Sequence, residues 1–193
     1  MMLLSLKEKY PHYFQDNIEI ASFFGEFPTS LWNGGRFSNG DQCDRRFVEE
    51  VVKSINTRGI PVRYTYTNPL LTEEDLADAY CNFCMKTADN GKNEVLVVSP
   101  ILEAYIRKNY PGFTINSSTC KEIRGIEGVN EELKKDYGLV VLDYNLNNQF
   151  GELQKITDKS RCELLVNACC IPECPRRGEH YRTIAKQQRI TLK

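Results

Sequence analysis

Short apolar runs alternate with amphipathic helical patterns along most of this chain, and this alternation limits the fold more than any other feature. The clearest runs are 94–99, which contains Val-Leu-Val-Val, and 138–142, which reads Gly-Leu-Val-Val-Leu. Continuous apolar runs of this length are typical of strands buried on both faces of a sheet. Because such strands alternate here with helices, we expect a parallel sheet with helices packed against it.

The number and spacing of the strands favour an incomplete barrel. The other predicted strands are 18–24, 61–66, 113–116 and 163–166, with 189–192 as a short seventh. The later strands recur every 20–25 residues or so, roughly the spacing of a βα-barrel, which closes with eight strands. We therefore predict an α/β fold, a parallel βα-barrel that is incomplete or open with six or seven strands, and place a doubly wound open sheet second. The 193 residues are expected to form a single domain over 1–193.

The predicted helices follow from apolar periodicity and from capping residues. They cover 3–15, ended by Tyr10-Pro11, then 42–57, 73–88, 100–110, 129–137 and 150–157, and a last one that follows His180 to about 188. Asp41 is the expected N-cap of the helix over 42–57, and its apolar face contains Phe47, Val48, Val51, Val52 and Ile55. Cys81 and Cys84 form a C-x-x-C pair inside a helix, so we predict that both pack in the core.

Charge and composition limit the classes of partner. The formal net charge is −1, from 25 basic and 26 acidic residues, which gives no overall attraction to nucleic acid or to a membrane surface. No apolar run has transmembrane length, and charges follow Met1-Met2-Leu3-Leu4 at once, so we expect no signal peptide and a cytoplasmic protein. Eight cysteines in such a protein indicate thiols, ligands or redox groups rather than disulfides.

Polar and reactive side chains follow nearly every predicted strand, whereas the strand interiors contain almost none. These groups are Glu26, Thr67, Asn68, Ser99, residues 117–120, Asp143, Asn145 and residues 167–174. Each is also an ordinary helix cap or turn former. However, the carboxyl ends of parallel strands line the site in α/β folds. We therefore predict a site at that face of the sheet.

Roles can be suggested for individual residues of this site. Asp143 is the candidate general base, and Asn167 and Arg177 complete the candidate catalytic set. Arg36 and Arg177 are suited to hold an anionic substrate group, since arginine binds such groups bidentately. Asn68 and Asn145 are further candidates for substrate binding. The glycines before Arg36 can also form a plain wide turn, because the phosphate-loop lysine and the dinucleotide fingerprint are absent.

The segment 162–181 contains the densest group of metal-ligating residue types in the chain. Cys169, Cys170 and Cys174 follow the last apolar run, and Pro172 and Pro175 stiffen the loop that contains them. His180 lies near the start of the next predicted helix. Thiols and imidazole in a rigid loop suit zinc, iron or an iron–sulfur cluster. The predicted ligands are Cys170, Cys174 and His180, with Cys120 from a neighbouring strand end. Buried thiols that act only as small hydrophobic groups are the alternative.

The last third of the chain also resembles a known family. Leu-Leu-Val-Asn-Ala-Cys-Cys at 164–170 follows Leu-Val-Val-Leu-Asp-Tyr-Asn at 139–145. These segments resemble strand ends of the collagenase-like peptidase family of unassigned catalytic type, which also contains iron–sulfur proteins of tRNA and ubiquinone hydroxylation. The resemblance implies a βα-barrel whose late strands deliver cysteines to a cluster. Cys170 matches the thiol after the strand end and Cys174 matches the next thiol loosely.

This sequence departs from the family in two ways. Its second cysteine comes sooner, and the later cysteine-rich segment has no counterpart in 175–193, which counts against a four-cysteine cluster.

Three functions remain open on these grounds. The first is a metal- or cluster-bearing barrel enzyme that acts on a small-molecule or peptide substrate. The second is a non-catalytic scaffold in which structural zinc fixes the C-terminal loop. The third is a metal-free enzyme with a thiolate nucleophile, Cys170 or Cys174, near Arg177 and His180. If the barrel is open, a partner, such as a second copy, or a terminal segment of the chain is expected to cover the exposed sheet edge.

Overall fold

Six parallel strands form one curled sheet, an open half-barrel with helices between its strands. The computed structural model describes residues 2–34, 40–168 and 170–192. The strands are β1 (Phe23–Gly25), β2 (Val62–Tyr66), β3 (Glu94–Val97), β4 (Thr114–Ser117), β5 (Val140–Val141) and β6 (Cys162–Glu163). Their spatial order is their order in the sequence, and every neighbouring pair is parallel. The prediction of an incomplete or open parallel βα-barrel with six or seven strands is therefore confirmed, and the sheet has six.

The helices lie close to their predicted positions. They are α1 (Met2–Lys9), α2 (Arg45–Asn56), α3 (Ala79–Ala88), α4 (Pro100–Asn109), α5 (Ile126–Leu133), α6 (Phe150–Leu153) and α7 (Arg177–Leu192). A 3₁₀ turn over Glu73–Ala77 precedes α3, and the Asp75 carboxylate accepts hydrogen bonds from the backbone N–H and hydroxyl of Thr72. None of the helices in the described ranges is long and apolar enough to cross a membrane.

Several details of the predicted elements were wrong. The strands predicted over 18–24 and 163–166 are shorter, at Phe23–Gly25 and Cys162–Glu163. The N-cap of α2 is Asp44, not Asp41, because the Asp44 carboxylate accepts the N–H of Arg46 at 2.8 Å. Phe47 does not join the buried face of this helix and is 52% exposed. Residues 189–192 form the last turn of α7 rather than a strand, since no glycine or proline interrupts the helix after Gly178 and Leu192 packs against the core.

The main core fills the space between the convex face of the sheet and α2, α3 and α4. Tyr64 and Tyr66 of β2 project into it and stack on each other, with ring centroids 5.2 Å apart. Cys81 and Cys84 of α3 are both fully buried there, as predicted. Burial raises the pKa of the Cys84 thiol to about 12, so this thiol stays protonated and uncharged at neutral pH.

The concave face of the sheet is more polar than the sequence suggested. Side chains alternate along β2, so that Arg63 and Thr65 point away from the core that holds Tyr64 and Tyr66. The ladder between β2 and β3 places Arg63 beside Glu94 and Thr65 beside Leu96. The prediction that strand interiors carry almost no polar groups was therefore wrong on this face. A half-barrel can hold these charges because they pair with one another across its inside.

Candidate functional site

A pocket lies at the carboxyl ends of the strands, where the inside of the half-barrel opens. We call it the carboxyl-face pocket. It is lined by Phe24, Gly25, Glu26, Asn33, Thr65, Thr67, Leu96, Ser118, Thr119, Cys120, Val141, Glu163, Leu165 and Tyr181. All six strands contribute lining residues from their last positions or from the residues just after them, the loop after β1 adds Asn33 and α7 adds Tyr181. Its volume is about 250 Å³, and apolar surface predominates in its lining.

A buried arginine connects the two sides of the half-barrel at this pocket. The Arg63 side chain is 3% exposed, its Nε donates to Glu94 at 2.5 Å and its Nη1 donates to Glu163 at 2.6 Å. Burial alone would lower the pKa of Arg63, but its hydrogen bonds and charge interactions with Glu163 and Glu94 raise it overall. Asn116 adds a donor to the same Glu94 oxygen at 2.8 Å. The curl of the sheet thus allows one residue of β2 to reach β6.

The loop after β1 is fixed against the end of β2 and forms one wall of the pocket. The backbone N–H of Asn68 donates to the carbonyl of Trp32 at 3.0 Å, and the Trp32 indole donates to the carbonyl of Asp75 at 2.7 Å. A Cβ at Gly34 would lie 2.2 Å from the carbonyl oxygen of Thr67, so only glycine fits there. Gly34 therefore serves close packing between two strand ends.

A second buried cluster lies beside the pocket, under the first turns of α7. The Arg177 guanidinium donates to the Asp143 carboxylate at 3.1 Å and to the Tyr181 hydroxyl at 2.6 Å, and it stacks over the Tyr144 ring at 4.2 Å. Arg177 and Asp143 are 3% and 1% exposed. Burial and the neighbouring Cys120 thiol raise the pKa of Tyr181, although Arg177 opposes this change. This cluster attaches the start of α7 to the ends of β4 and β5.

The structure brings together some of the residues that the sequence singled out. Asp143 and Arg177 form an ion pair, and Cys120 lines the pocket beside Tyr181. Asn68 is fully buried, donates to the carbonyl of Leu31 and accepts the N–H of Leu70, so its amide holds the loop after β2.

Other predicted site residues lie away from this pocket. The Asn145 side chain accepts a hydrogen bond from the backbone N–H of Glu173 at 2.7 Å and so holds the loop that contains Cys170 and Cys174. Asn167 is exposed and does not line the carboxyl-face pocket. Arg36 lies outside the described residues.

The predicted metal ligands do not form one cluster and differ in their exposure to solvent. Cys170 is exposed and lines a separate pocket with Asn145 and Pro172, Cys174 is half-buried and His180 is exposed. Within 2–34, 40–168 and 170–192, no three His, Cys, Asp or Glu side chains form a group that could hold a metal ion. The described residues therefore do not fit a metal or cluster site. Cys169 lies outside them, and the cofactor remains a prediction.

The predicted site residues do not include Glu163 and Tyr181, which line the pocket. They also do not include Arg63, which pairs with Glu163, or Glu94, which pairs with Arg63. One signal was present: the alternation in 61–66 places Arg63 on the face opposite the tyrosines. A charged residue at such a position in an inner strand of a parallel sheet requires a partner of opposite charge. Glu94 and Glu163 satisfy this requirement, but neither is close to Arg63 in the sequence.

Fold and pocket together define a half-barrel protein with its site at the carboxyl ends of parallel strands. No family model matches the chain. The chain is 26% identical over 106 residues to the uncharacterized protease MJ1657 of Methanocaldococcus jannaschii, a match that covers 53% of this chain and 31% of that protein. It therefore aligns with about a third of the length of this relative.

A solved structure has a similar fold. The U32 peptidase Mk0906 matches with a TM-score of 0.60 and 14% identity, over 90% of this chain and 71% of that chain. At this identity the likeness concerns the fold. The two comparisons support the resemblance to the collagenase-like, or U32, peptidases that the strand-end segments indicated.

Proposed function

We propose that this protein binds a peptide or small-molecule substrate in the carboxyl-face pocket and acts there as a peptidase-like enzyme. The observation that carries this proposal is the convergence of all six strands and of α7 on one concave, largely apolar pocket. Ligand sites of parallel α/β folds occupy this position. The names of the two similar proteins, a protease and a peptidase, agree with it.

The groups that line the pocket define the chemistry available to a bound substrate. Glu26, Glu163 and Cys120 are its carboxylates and its thiol. Asp143, the predicted general base, is 1% exposed and paired with Arg177, so we assign both residues to positioning Tyr181 and the end of β5. The alternative function with a thiolate nucleophile was predicted for Cys170 or Cys174. We assign this role to Cys120 instead, since the Cys120 thiol lines the pocket and Cys170 does not.

A substitution that fills the pocket tests this proposal. Leu96 lines the pocket from β3, so we expect Leu96→Trp to lower peptide binding and cleavage at least tenfold, roughly the loss of 1.4 kcal/mol of binding free energy. Leu6→Trp on the exposed side of α1 is the matched control and should leave both unchanged. The measurements are fluorescence anisotropy with labelled peptides and mass spectrometry of a peptide mixture. Equal binding by wild type and folded Leu96→Trp would contradict the proposal.

A metal or iron–sulfur cofactor is a separate proposal, and no step of the function above depends on it. The donor set of the described residues does not favour it. Iron, sulfide and zinc should be quantified in protein purified without oxygen, with Cys170→Ser and Cys174→Ser as variants.

Cysteine usage also leads us to propose a cytoplasmic location, which cell fractionation would test.

A further inference from the structure

We propose that the Tyr181 hydroxyl donates a hydrogen bond to a peptide carbonyl oxygen of the substrate in the carboxyl-face pocket. This inference rests on the proposed function and names the residue that binds the backbone of the substrate.

Tyr181 is held at the pocket by a buried cluster. The Nε of Arg177 donates to the Tyr181 hydroxyl at 2.6 Å, and the guanidinium lies 5.4 Å from the centroid of the Tyr181 ring. Arg177 is itself fixed by Asp143 at 3.1 Å and by the Tyr144 ring at 4.2 Å. The phenol oxygen therefore has a defined position at the pocket before any substrate binds, which lowers the cost of binding.

The contact with Arg177 leaves the hydroxyl proton for another partner. A phenol hydroxyl can both accept and donate hydrogen bonds. Arg177 uses it as an acceptor, so its proton is directed elsewhere. Hydrogen bonds in such a chain polarise one another, and the charged donor therefore makes the O–H group a stronger donor. Burial raises the pKa of Tyr181, so the proton is retained at neutral pH.

The groups beside the hydroxyl can give way to a substrate oxygen. Tyr181 interacts with the Cys120 thiol, which lines the pocket with it. Sulfur is a weak acceptor, so a peptide carbonyl oxygen is the better partner for the hydroxyl. The side chain of Arg177 is only 2% exposed and its charge is paired with Asp143. We therefore assign Arg177 to holding Tyr181, in contrast to the anion-binding role suggested by the sequence.

The other hydroxyl groups that line the pocket are less suited to this role. Those of Thr65 and Thr119 already donate to a carboxylate and to a backbone carbonyl, at 2.8 and 2.9 Å. Thr67 and Ser118 are each 4% exposed, whereas Tyr181 is half-buried. Because apolar surface predominates in the pocket, a peptide carbonyl that enters it loses water and needs a donor. Tyr181 supplies one.

Thioamide peptides test the inference. In a peptide that binds, each peptide bond in turn is converted to a thioamide, which keeps the N–H and replaces the carbonyl oxygen by sulfur. We expect one position at which the thioamide peptide binds the wild type severalfold more weakly than the amide peptide, as measured by fluorescence anisotropy. Tyr181→Phe should weaken binding of the amide peptide about fivefold, the effect of one hydrogen bond between uncharged groups, and abolish the difference at that position.

Tyr144→Phe is the matched control. It removes a hydroxyl from the same cluster, one that donates to the carbonyl of Ile171, but Tyr144 does not line the carboxyl-face pocket. It should leave the difference between amide and thioamide peptides as in the wild type.

A second variant covers the case in which Tyr181→Phe unfolds because Arg177 loses an acceptor. Tyr181→3-fluorotyrosine keeps the hydroxyl and makes it more acidic, hence a stronger donor. The ratio of amide to thioamide binding at the sensitive position should then rise above that of the wild type. An unchanged ratio would overturn the inference.

The outcomes separate this inference from the proposed function. If amide and thioamide peptides bind the wild type equally well at every position, or if folded Tyr181→Phe binds them as the wild type does, peptide binding stands and the role of Tyr181 is overturned. If Tyr181→Phe weakens amide and thioamide peptides equally, Tyr181 has only a structural role and the inference is also overturned. If no peptide binds to the wild type, the proposed function fails and this inference fails with it.

Discussion

Arg63 shows how a single side chain can join parts of a sheet that are not neighbours. Its partners come from β3 and β6, so the same guanidinium satisfies a ladder neighbour and a strand on the far side of the curl. A buried cation of this kind contributes little by itself, because its desolvation offsets the attraction to its partners. Its removal is costly, since the partner carboxylates then lie close together without a positive charge.

Arg63→Met is therefore expected to lower the free energy of unfolding by about 2 to 3 kcal/mol, less than for a fully buried pair because Glu163 is 37% exposed. Urea denaturation at neutral pH measures the change. Arg46→Met is the control: this arginine pairs with Glu50 on the surface of α2, with side chains 84% and 63% exposed, and should cost less than about 1 kcal/mol. If both variants lost the same unfolding free energy, the buried Arg63 ion pairs would contribute no more than a surface ion pair.

The sequence predicts those site residues that lie at the ends of strands. It does not predict those whose contacts depend on the curvature of the sheet. Asp143 follows an apolar run directly and Cys120 follows the end of β4 within three residues, and the parallel sheet brings such positions to one edge. The approach of Glu163 to Arg63 depends on the curl between β2 and β6, which no local pattern specifies. Asn167 is exposed because β6 ends at Glu163, before the end of the strand predicted over 163–166.

At the scale of elements, an ion cluster attaches α5 to the convex face of β4. Glu132 of α5 accepts hydrogen bonds from Ser117 of β4 and from Lys121 at 2.6 and 2.7 Å, and from Lys135 at 2.5 Å. Burial would raise the pKa of Glu132, but the hydrogen bonds from Lys121, Lys135 and Ser117 outweigh this effect and lower it to about 2. The carboxylate therefore stabilises the folded state in its ionised form.

The stability contributed by Glu132 should depend on pH. A carboxyl whose pKa is lowered on folding stabilises the protein fully above its unfolded pKa, near 4.5, and this contribution is lost as pH falls toward 2. We expect Glu132→Gln to lower the free energy of unfolding by about 2 to 3 kcal/mol at pH 7. The difference from wild type should narrow between pH 5 and pH 2, as measured by urea denaturation at several pH values. A difference independent of pH would show that the charge is not the cause.

Helix α7 connects distant strand ends and covers part of the mouth of the half-barrel. Its first turns are held by Asp143 after β5, and its last turns by hydrogen bonds from Gln188 to Ser30 and from Arg189 to Leu70. These contacts explain why the helix continues through residues predicted as a strand. They also place Tyr181 over the pocket. The helix thus positions a lining residue and stabilises the loops after β1 and β2.

At the scale of the whole molecule, the architecture followed from the sequence because each strand and helix carries its own local signal. The run in β5 is apolar throughout and that in β3 is apolar after Glu94, and Ser99 with Pro100 begins α4 as predicted. The sequence did not determine how far the sheet curls or which segment covers its mouth. Both depend on contacts between residues more than 100 positions apart, such as those of Gln188 with Ser30.

The half-barrel leaves β1 and β6 as edges of the sheet. The edge at β6 is short and flanked by exposed apolar side chains, since Phe150, Leu164 and Val166 are 70%, 43% and 81% exposed. Exposed backbone donors and acceptors beside apolar groups favour association with another chain. This geometry is consistent with the predicted partner at an open edge, which remains to be tested.

We expect the protein to self-associate through the β6 edge at micromolar concentration, roughly the range of weak interfaces of this kind. Light scattering coupled to size-exclusion chromatography would then give a mass above the 22.2 kDa of one chain, increasing with concentration. Leu164→Lys and Val166→Lys should shift the equilibrium toward the monomer, because a charge beside an edge strand opposes pairing. Ile190→Lys on α7 is the matched control, as this residue is 81% exposed and lies outside the β6 edge. A monomer at all concentrations would contradict self-association through this edge and leave a different chain or a terminal segment to cover it.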